Sequence, residues 1–252
     1  DFGMRFFPSK SAFRKMIRQE GNYNLSITQD IFRHWNLREG IDEVIYNGIR
    51  RSEVEVVPYV CEYPYFLYAA RIEPSKGLMT LLRAFRLYYK NGGTNRLLVV
   101  GKPCGLYSLW CKAYVRLAGL QRCVSFAGYR SDVYSLMAGA EAFVMTSLSE
   151  GFGLTTAEAM LNRCLVIARN TAGSKEQLDR GLALTGSEIG LRFDTHAQLA
   201  AHLHSVESEK NASIFETMKV NAFKTVDELY TVDAYASKVE EFYNKVLDSR
   251  SL

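Results

Sequence analysis

The chain has 252 residues, a formal net charge of +4 and an apolar fraction of 48%. That suffices to bury the core of one large domain or two small ones, and the charge is too mild to argue by itself for nucleic acid. No apolar run approaches the ~20 residues of a membrane-spanning helix. The start at Asp1 shows no signal-peptide layout, and without a leading Met it fits a piece of a longer chain.

In chain order, residues 9–20 read as a helix with Phe13, Met16 and Ile17 on one stripe. Arg5, Lys10, Arg14, Lys15 and Arg18 crowd this end; a solvated helix face accounts for them, and an anionic partner such as a membrane surface is the alternative. Residues 23–28 and 43–47 are short strand-like runs, and Asn47-Gly48 signals a turn. From residue 65 the pattern is regular. Strands are predicted at 65–70, 96–100, 123–127, 142–146 and 165–168, with helices at 77–90, 107–117, 131–138 and 156–162 between them. Such alternation implies βαβ units, a doubly wound parallel sheet of Rossmann-like α/β class with helices on both faces, and ligands at the carboxyl ends of the strands. Residues 233–247 hold a helical period of apolar residues. The reading divides the chain into 1–48, 49–230 as the sheet domain, and 231–252 as a C-terminal helix.

Cys61, Cys104, Cys111, Cys123 and Cys164 are scattered and odd in number, without a Cys-x-x-Cys pair, which reads as reduced, mostly buried thiols of a cytoplasmic protein. The four histidines form no metal-ligand pattern; His202 and His204, two apart on a predicted helix, read as surface residues on different faces.

Two loops carry chemistry. Ser149-Glu150-Gly151-Phe152-Gly153-Leu154-Thr155-Thr156-Ala157-Glu158 follows a strand and opens a helix. Its glycines allow close backbone approach. The N–H groups of Gly153, Leu154 and Thr155 at the helix start make an anion site suited to a diphosphate. Thr155-x-x-Glu158 is also a capping-box pattern, in which Glu158 would only satisfy a backbone N–H. The second loop, Arg71-Ile72-Glu73-Pro74-Ser75-Lys76-Gly77, brings two cations to the same sheet edge, a planar fork and a point charge for phosphate oxygens. A surface pair of Arg71 with Glu73 is the plainer alternative.

Together these segments resemble the group 1 family of retaining glycosyltransferases. Tyr68-Ala-Ala-Arg71 with Lys76-Gly77 is similar to the family's strand, arginine and lysine-glycine, and Glu150 and Glu158 match its signature of two glutamates separated by seven residues. Val99-Val100-Gly101, Val124–Tyr129, the segment Asn170–Glu176 read as a loop, Gly190–Asp194 and Asn47-Gly48-Ile49 match further, in order, over roughly residues 23–247. The resemblance implies one half of a GT-B fold, the half that binds a nucleotide-sugar donor. It implies that Arg71 and Lys76 hold the diphosphate and stabilise the leaving group, with Glu150 at the donor sugar. It gives Glu158 the ribose hydroxyls, the backbone from Gly151, Phe152 and Gly153 to Leu154 and Thr155 the sugar and phosphate, and Gly128, Tyr129 and Arg130 the base.

Glu150, Arg71 and Lys76 are thereby the catalytic candidates. No cofactor or bound metal is implied, in keeping with the absence of Asp-x-Asp. The implied partners are a UDP-, GDP- or ADP-sugar and a missing N-terminal acceptor domain of which residues 1–48 are the remnant, with peripheral contact at the inner face of the membrane and no nucleic acid. Polysaccharide biosynthesis in the cytoplasm is the family-level expectation, and this chain alone is expected to be inactive. Arg163 and Leu165 stand where the family has Gly and Pro, so altered turn geometry is expected there. A nucleotide-binding module without transfer activity is the alternative. A dinucleotide oxidoreductase lacks its Gly-x-Gly-x-x-Gly after the first strand, and a nucleic-acid binder lacks interleaved aromatic and basic strand residues.

Overall fold

The computed structural model describes residues 9–52 and 55–250; Arg5 lies outside them. The first elements are α1 (Lys10–Ile17), β1 (Leu25–Ser26), α2 (Gln29–Trp35) and β2 (Glu43–Val44), with β1 and β2 paired in parallel. Helix α1 has no buried residue, and its Met16 is exposed rather than packed. It leans on α2 through Phe13 and Trp35, whose rings are 4.7 Å apart, and through Arg14, which donates to the His34 carbonyl.

One carboxylate holds this segment together. Asp42 has a fully buried side chain and accepts bonds from the backbone N–H and guanidinium of Arg38 and from the backbone and side-chain N–H of Asn24. Burial raises its pKa, but those bonds outweigh burial and hold it at about 2. A pKa depressed on folding stabilises above the unfolded value and is lost as pH falls through the folded one. About 2 kcal/mol of stability is therefore expected to disappear between about pH 4 and pH 2. Asp42→Asn should remove that acid-sensitive component, checked by urea unfolding across this window.

The sheet domain follows: β3 (Tyr65–Ala69), α3 (Leu78–Lys90), β4 (Arg96–Val100), α4 (Gly105–Leu117), β5 (Val124–Gly128), α5 (Val133–Ala138), β6 (Ala142–Met145), α6 (Leu154–Leu161), β7 (Val166–Arg169), α7 (Ala172–Thr185), β8 (Leu191–Phe193), α8 (His196–Glu207) and α9 (Ala212–Leu229); α10 (Val232–Arg250) closes the described chain. All six strands β3–β8 are parallel, in the order β5-β4-β3-β6-β7-β8. Every residue of β3 is buried, the pattern of a strand covered on both faces. Phe66 and Tyr68 point into a core beneath α3, α4 and α8, and Tyr65, Leu67 and Ala69 into one beneath α5, α6, α7 and α9. Helix α3 forms because Leu78, Leu81, Leu82 and Phe85 recur at helical spacing and bury one face.

Three sequence expectations are corrected. The stretch Asn170–Glu176 is not all loop: α7 begins at Ala172 and takes in Glu176. Asn47-Gly48 makes no turn; the chain runs on into a bridge between Ile49 and Thr231, and Gly48 lies against the start of α10, where a Cβ would fall 2.8 Å from the Val232 Cα. His202 and His204 are both partly buried, one ring nitrogen of His202 lying 2.8 Å from the Arg192 carbonyl and the His204 ring lying tilted against Tyr88 at 4.7 Å, because α8 packs against both β8 and α3. At the turn where altered geometry is expected, Arg163 takes a left-handed backbone (φ 54), which a glycine adopts without cost, and its guanidinium rests 4.3 Å from the Phe223 ring centroid.

All five cysteines are free, with Cys111, Cys123 and Cys164 buried. Helix α10 buries Phe242 and meets the N-terminal segment through Tyr23 with Ser249 and Lys245 with Glu43, while Tyr243 and Leu247 stay exposed.

Candidate functional site

From β3 the chain winds outward to β4 and β5 on one side, and from β6 to β7 and β8 on the other. The sheet therefore reverses its winding between β3 and β6, and in open α/β sheets ligands bind beyond the carboxyl ends of the strands at that point. The two chemistry-bearing loops leave these two strands.

Backbone and side chain knit the loops together. Lys76 follows Pro74 in a single 3-10 turn, and Gly77 after it takes φ 67. A Cβ on Gly77 would sit 2.1 Å from the Thr146 carbonyl oxygen, so only glycine lets the β3 loop pass this close to β6. The Thr146 hydroxyl donates to the Lys76 carbonyl, the Leu148 N–H to the Ser75 carbonyl, and the Tyr68 hydroxyl to the carbonyls of Arg71 and Lys76. The result is an ion pair across the switch point, Lys76 Nζ to Glu150 Oε2 at 2.7 Å, with side chains only 20% and 14% exposed. Arg71 stands further out, 65% exposed, and pairs with Glu73 at 3.1 Å.

Helix α6 starts at Leu154 behind Gly153, which caps it in the left-handed region (φ 89) without a side-chain hydrogen bond. Thr155 thus lies inside the helix, and the capping-box reading of Thr155 and Glu158 fails. The N–H groups of Leu154 and Thr155 have no carbonyl four residues back to bond. From behind, the loop rests on α7. Gln177 donates to the carbonyls of Phe152 (2.7 Å) and Gly153 (3.2 Å), and Gly173 lies so close that a Cβ would stand 2.4 Å from the Gly151 and Phe152 oxygens. Phe152 turns its ring into the core, 5.1 Å from Tyr230 and 6.1 Å from Tyr46, so only its backbone faces the site.

These elements enclose a cavity of about 300 Å³ lined by Asn47, Ala70, Arg71, Lys76, Met145, Ser147, Glu150, Phe152, Gly153, Leu154 and Thr155. Seven of the residues expected at a donor site meet there. Gly151 is exposed at the loop's outer turn. Glu158 is one helical turn further along α6, facing Tyr134, whose hydroxyl lies 3.4 Å from its carboxylate; burial raises the Glu158 pKa and this bond pulls it back. Tyr129 and Arg130 follow β5, two strands from the cavity: Tyr129 is 68% exposed beneath Lys102, and Arg130 is held by Asp132 at 2.7 Å. Gln177 and Tyr134 are not signalled by the sequence, since each reaches the loop or Glu158 through a tertiary contact.

Among solved structures, HepE of Anabaena in complex with UDP and glucose is similar at a TM-score of 0.78 and 19% identity, over 93% of this chain and 66% of that one. A glycosyltransferase of Rickettsia africae is similar at 0.78 and 19%, over 94% and 67%. Sucrose-phosphate synthase of Thermosynechococcus elongatus is similar at 0.76 and 20%, over 95% and 62%. At these identities the likeness shows the fold, and the chain spans about two thirds of the length of these proteins. No curated protein sequence matches the chain. The family model described as glycosyl transferases group 1 matches residues 53–223, well over half of the length, and the chain belongs to that family.

Proposed function

We propose that this chain is the donor-binding part of a retaining glycosyltransferase that moves a sugar from a nucleoside-diphosphate sugar to a glycan, lipid-linked or other acceptor. The observation that carries this is the pairing of Lys76 with Glu150 beside the open N–H groups of α6, at the switch point of the sheet. A diphosphate placed on those N–H groups meets Lys76 and Arg71, which stabilise the negative charge that develops on the leaving group. Displaced from Lys76 by the phosphates, Glu150 turns to the hydroxyls of the donor sugar. Glu158 and Tyr134 face the ribose, and Tyr129 and Arg130 lie toward the base. HepE has been captured with UDP and with UDP-glucose, which supports a nucleotide sugar as the ligand. On this proposal residues 1–48 are the tail of an acceptor-binding domain, 49–230 the donor domain and 231–252 a helix that returns to the acceptor domain. Transfer needs both domains, so this chain alone is inactive, and it acts without a bound metal at the cytoplasmic side of a membrane.

The test is calorimetric titration with UDP, GDP and ADP and their sugar conjugates in magnesium-free buffer. Glu158→Ala is expected to cost about 1.5–3 kcal/mol of nucleotide affinity and to leave urea stability nearly unchanged, since Glu158 caps nothing. Unchanged affinity in that variant, or absence of binding to every nucleotide, overturns the assignment.

A further inference from the structure

The outer face of α4 is apolar where a solvent-facing helix should be polar. Leu106, Leu109, Trp110, Ala113 and Leu117 recur at i, i+3, i+4, i+7 and i+11, one stripe of the helix. Leu106 is 82%, Leu109 60%, Trp110 52% and Leu117 89% exposed. The opposite face, with Ser108, Cys111 and Val115, is buried on the sheet, so helical amphipathicity does not demand leucines outside. Lys112 and Arg116 border the stripe on one side, and exposed Lys102 precedes the helix. Between Glu73 and Asp132 the sequence holds ten lysines and arginines and no aspartate or glutamate.

We propose that α4 docks the protein on an anionic membrane surface, with the leucines and Trp110 at the boundary of headgroup and acyl chain and the flanking cations on lipid phosphates. An apolar stripe beside a basic flank is what holds a helix in the plane of a bilayer, and each cation near an anionic leaflet adds attraction. Charge separates this partner from the others. A second copy of the chain would set Lys112 and Arg116 against their own kind with no acid to answer them. A nucleic acid gives leucines nothing to bury against. The assignment is independent of the donor site, which lies at the strand ends around β3 and β6.

Trp35→Phe leaves Trp110 as the only tryptophan and a reporter of the stripe. With vesicles of equal parts phosphatidylcholine and phosphatidylglycerol, Trp110 emission is expected to shift blue and the protein to float with the vesicles. Partitioning into pure phosphatidylcholine should be about tenfold weaker or less, and raised salt should weaken the anionic case. Leu106→Glu with Leu109→Glu, both at exposed positions, should abolish flotation. Lys112→Glu with Arg116→Glu should weaken it about tenfold. Nucleotide titration of the same samples should be unchanged, which separates failure here from failure of the donor site. No flotation with anionic vesicles, equal flotation with neutral ones, wild-type flotation of the Leu106 and Leu109 variant, or preferential capture of an oligonucleotide would each overturn the proposal.

Discussion

Lys76→Ala is expected to weaken nucleoside-diphosphate binding by about 2–3 kcal/mol, roughly thirty- to one-hundred-and-fifty-fold in Kd. Of the two described cations lining the cavity, Lys76 is the less exposed, where a charge-assisted bond to phosphate is least screened by water. Its loss also strands the Glu150 carboxylate, 14% exposed, without its counter-ion, so stability should fall by about 1–3 kcal/mol. The two effects can be parted. Adding Glu150→Gln removes the stranded charge and should restore stability but not affinity, so the pair will be non-additive in stability. Arg71→Ala, at a side chain 65% exposed and already paired with Glu73, should cost less affinity. Calorimetry and urea unfolding on the wild type, Lys76→Ala, Glu150→Gln, the double variant and Arg71→Ala decide it, and nucleotide binding by Lys76→Ala at wild-type strength would remove Lys76 from the site.

Gly77→Ala should be a severely damaging single-methyl change at the site. The left-handed backbone there costs a non-glycine residue about 1–2 kcal/mol, and its Cβ would stand 2.1 Å from the Thr146 oxygen, a backbone atom that cannot step aside. The loops after β3 and β6 must separate to admit it, and Lys76 then parts from Glu150. A loss of about 3 kcal/mol or more in stability is expected, together with loss of nucleotide binding. Gly119→Ala provides the control: its φ of 72 carries the same backbone strain, but nothing lies within 4 Å of its Cβ, so it should lose only the backbone contribution. Equal losses at the two positions in urea unfolding would show that close approach at Gly77 is not what demands glycine.

From β3 to β7 the elements were legible because their strands are short apolar runs and their helices carry leucines at helical spacing. The cations of one loop and the glutamates of the other could be assigned to a single site because right-handed parallel crossovers leave all strand ends on one edge. Helix α7 was hidden by its composition. Its buried face is Gly173, Ser174, Gln177, Leu178 and Gly181, small and polar residues that let it approach the donor loop and leave no apolar period to find. Gln177 is polar yet buried because it bonds two loop carbonyls from a distant part of the chain, and no local pattern announces that. The Thr155 and Glu158 pattern misleads for the opposite reason: the local spacing is right for a cap, but the positive φ of Gly153 starts the helix two residues earlier. At Tyr129 and Arg130 a neighbouring cation, an aromatic ring and a carboxylate decide where the side chains rest, and these come from Lys102, Tyr59 and Asp132.

On the proposed division of the chain, the sheet domain is entered at Ile49 and left at Thr231, and these two residues bridge each other. Tyr46 and Tyr230, beside the entry and the exit, clasp the ring of Phe152, two residues from Glu150. The segments around residues 46–49 and 230–232 therefore act on the loop after β6 through one shared aromatic contact. On the proposed function, thermodynamic reciprocity constrains this contact: whatever factor a nucleotide contributes to fixing it, a body attached through residues 46–49 or 230–232 that fixes it contributes the same factor to nucleotide affinity.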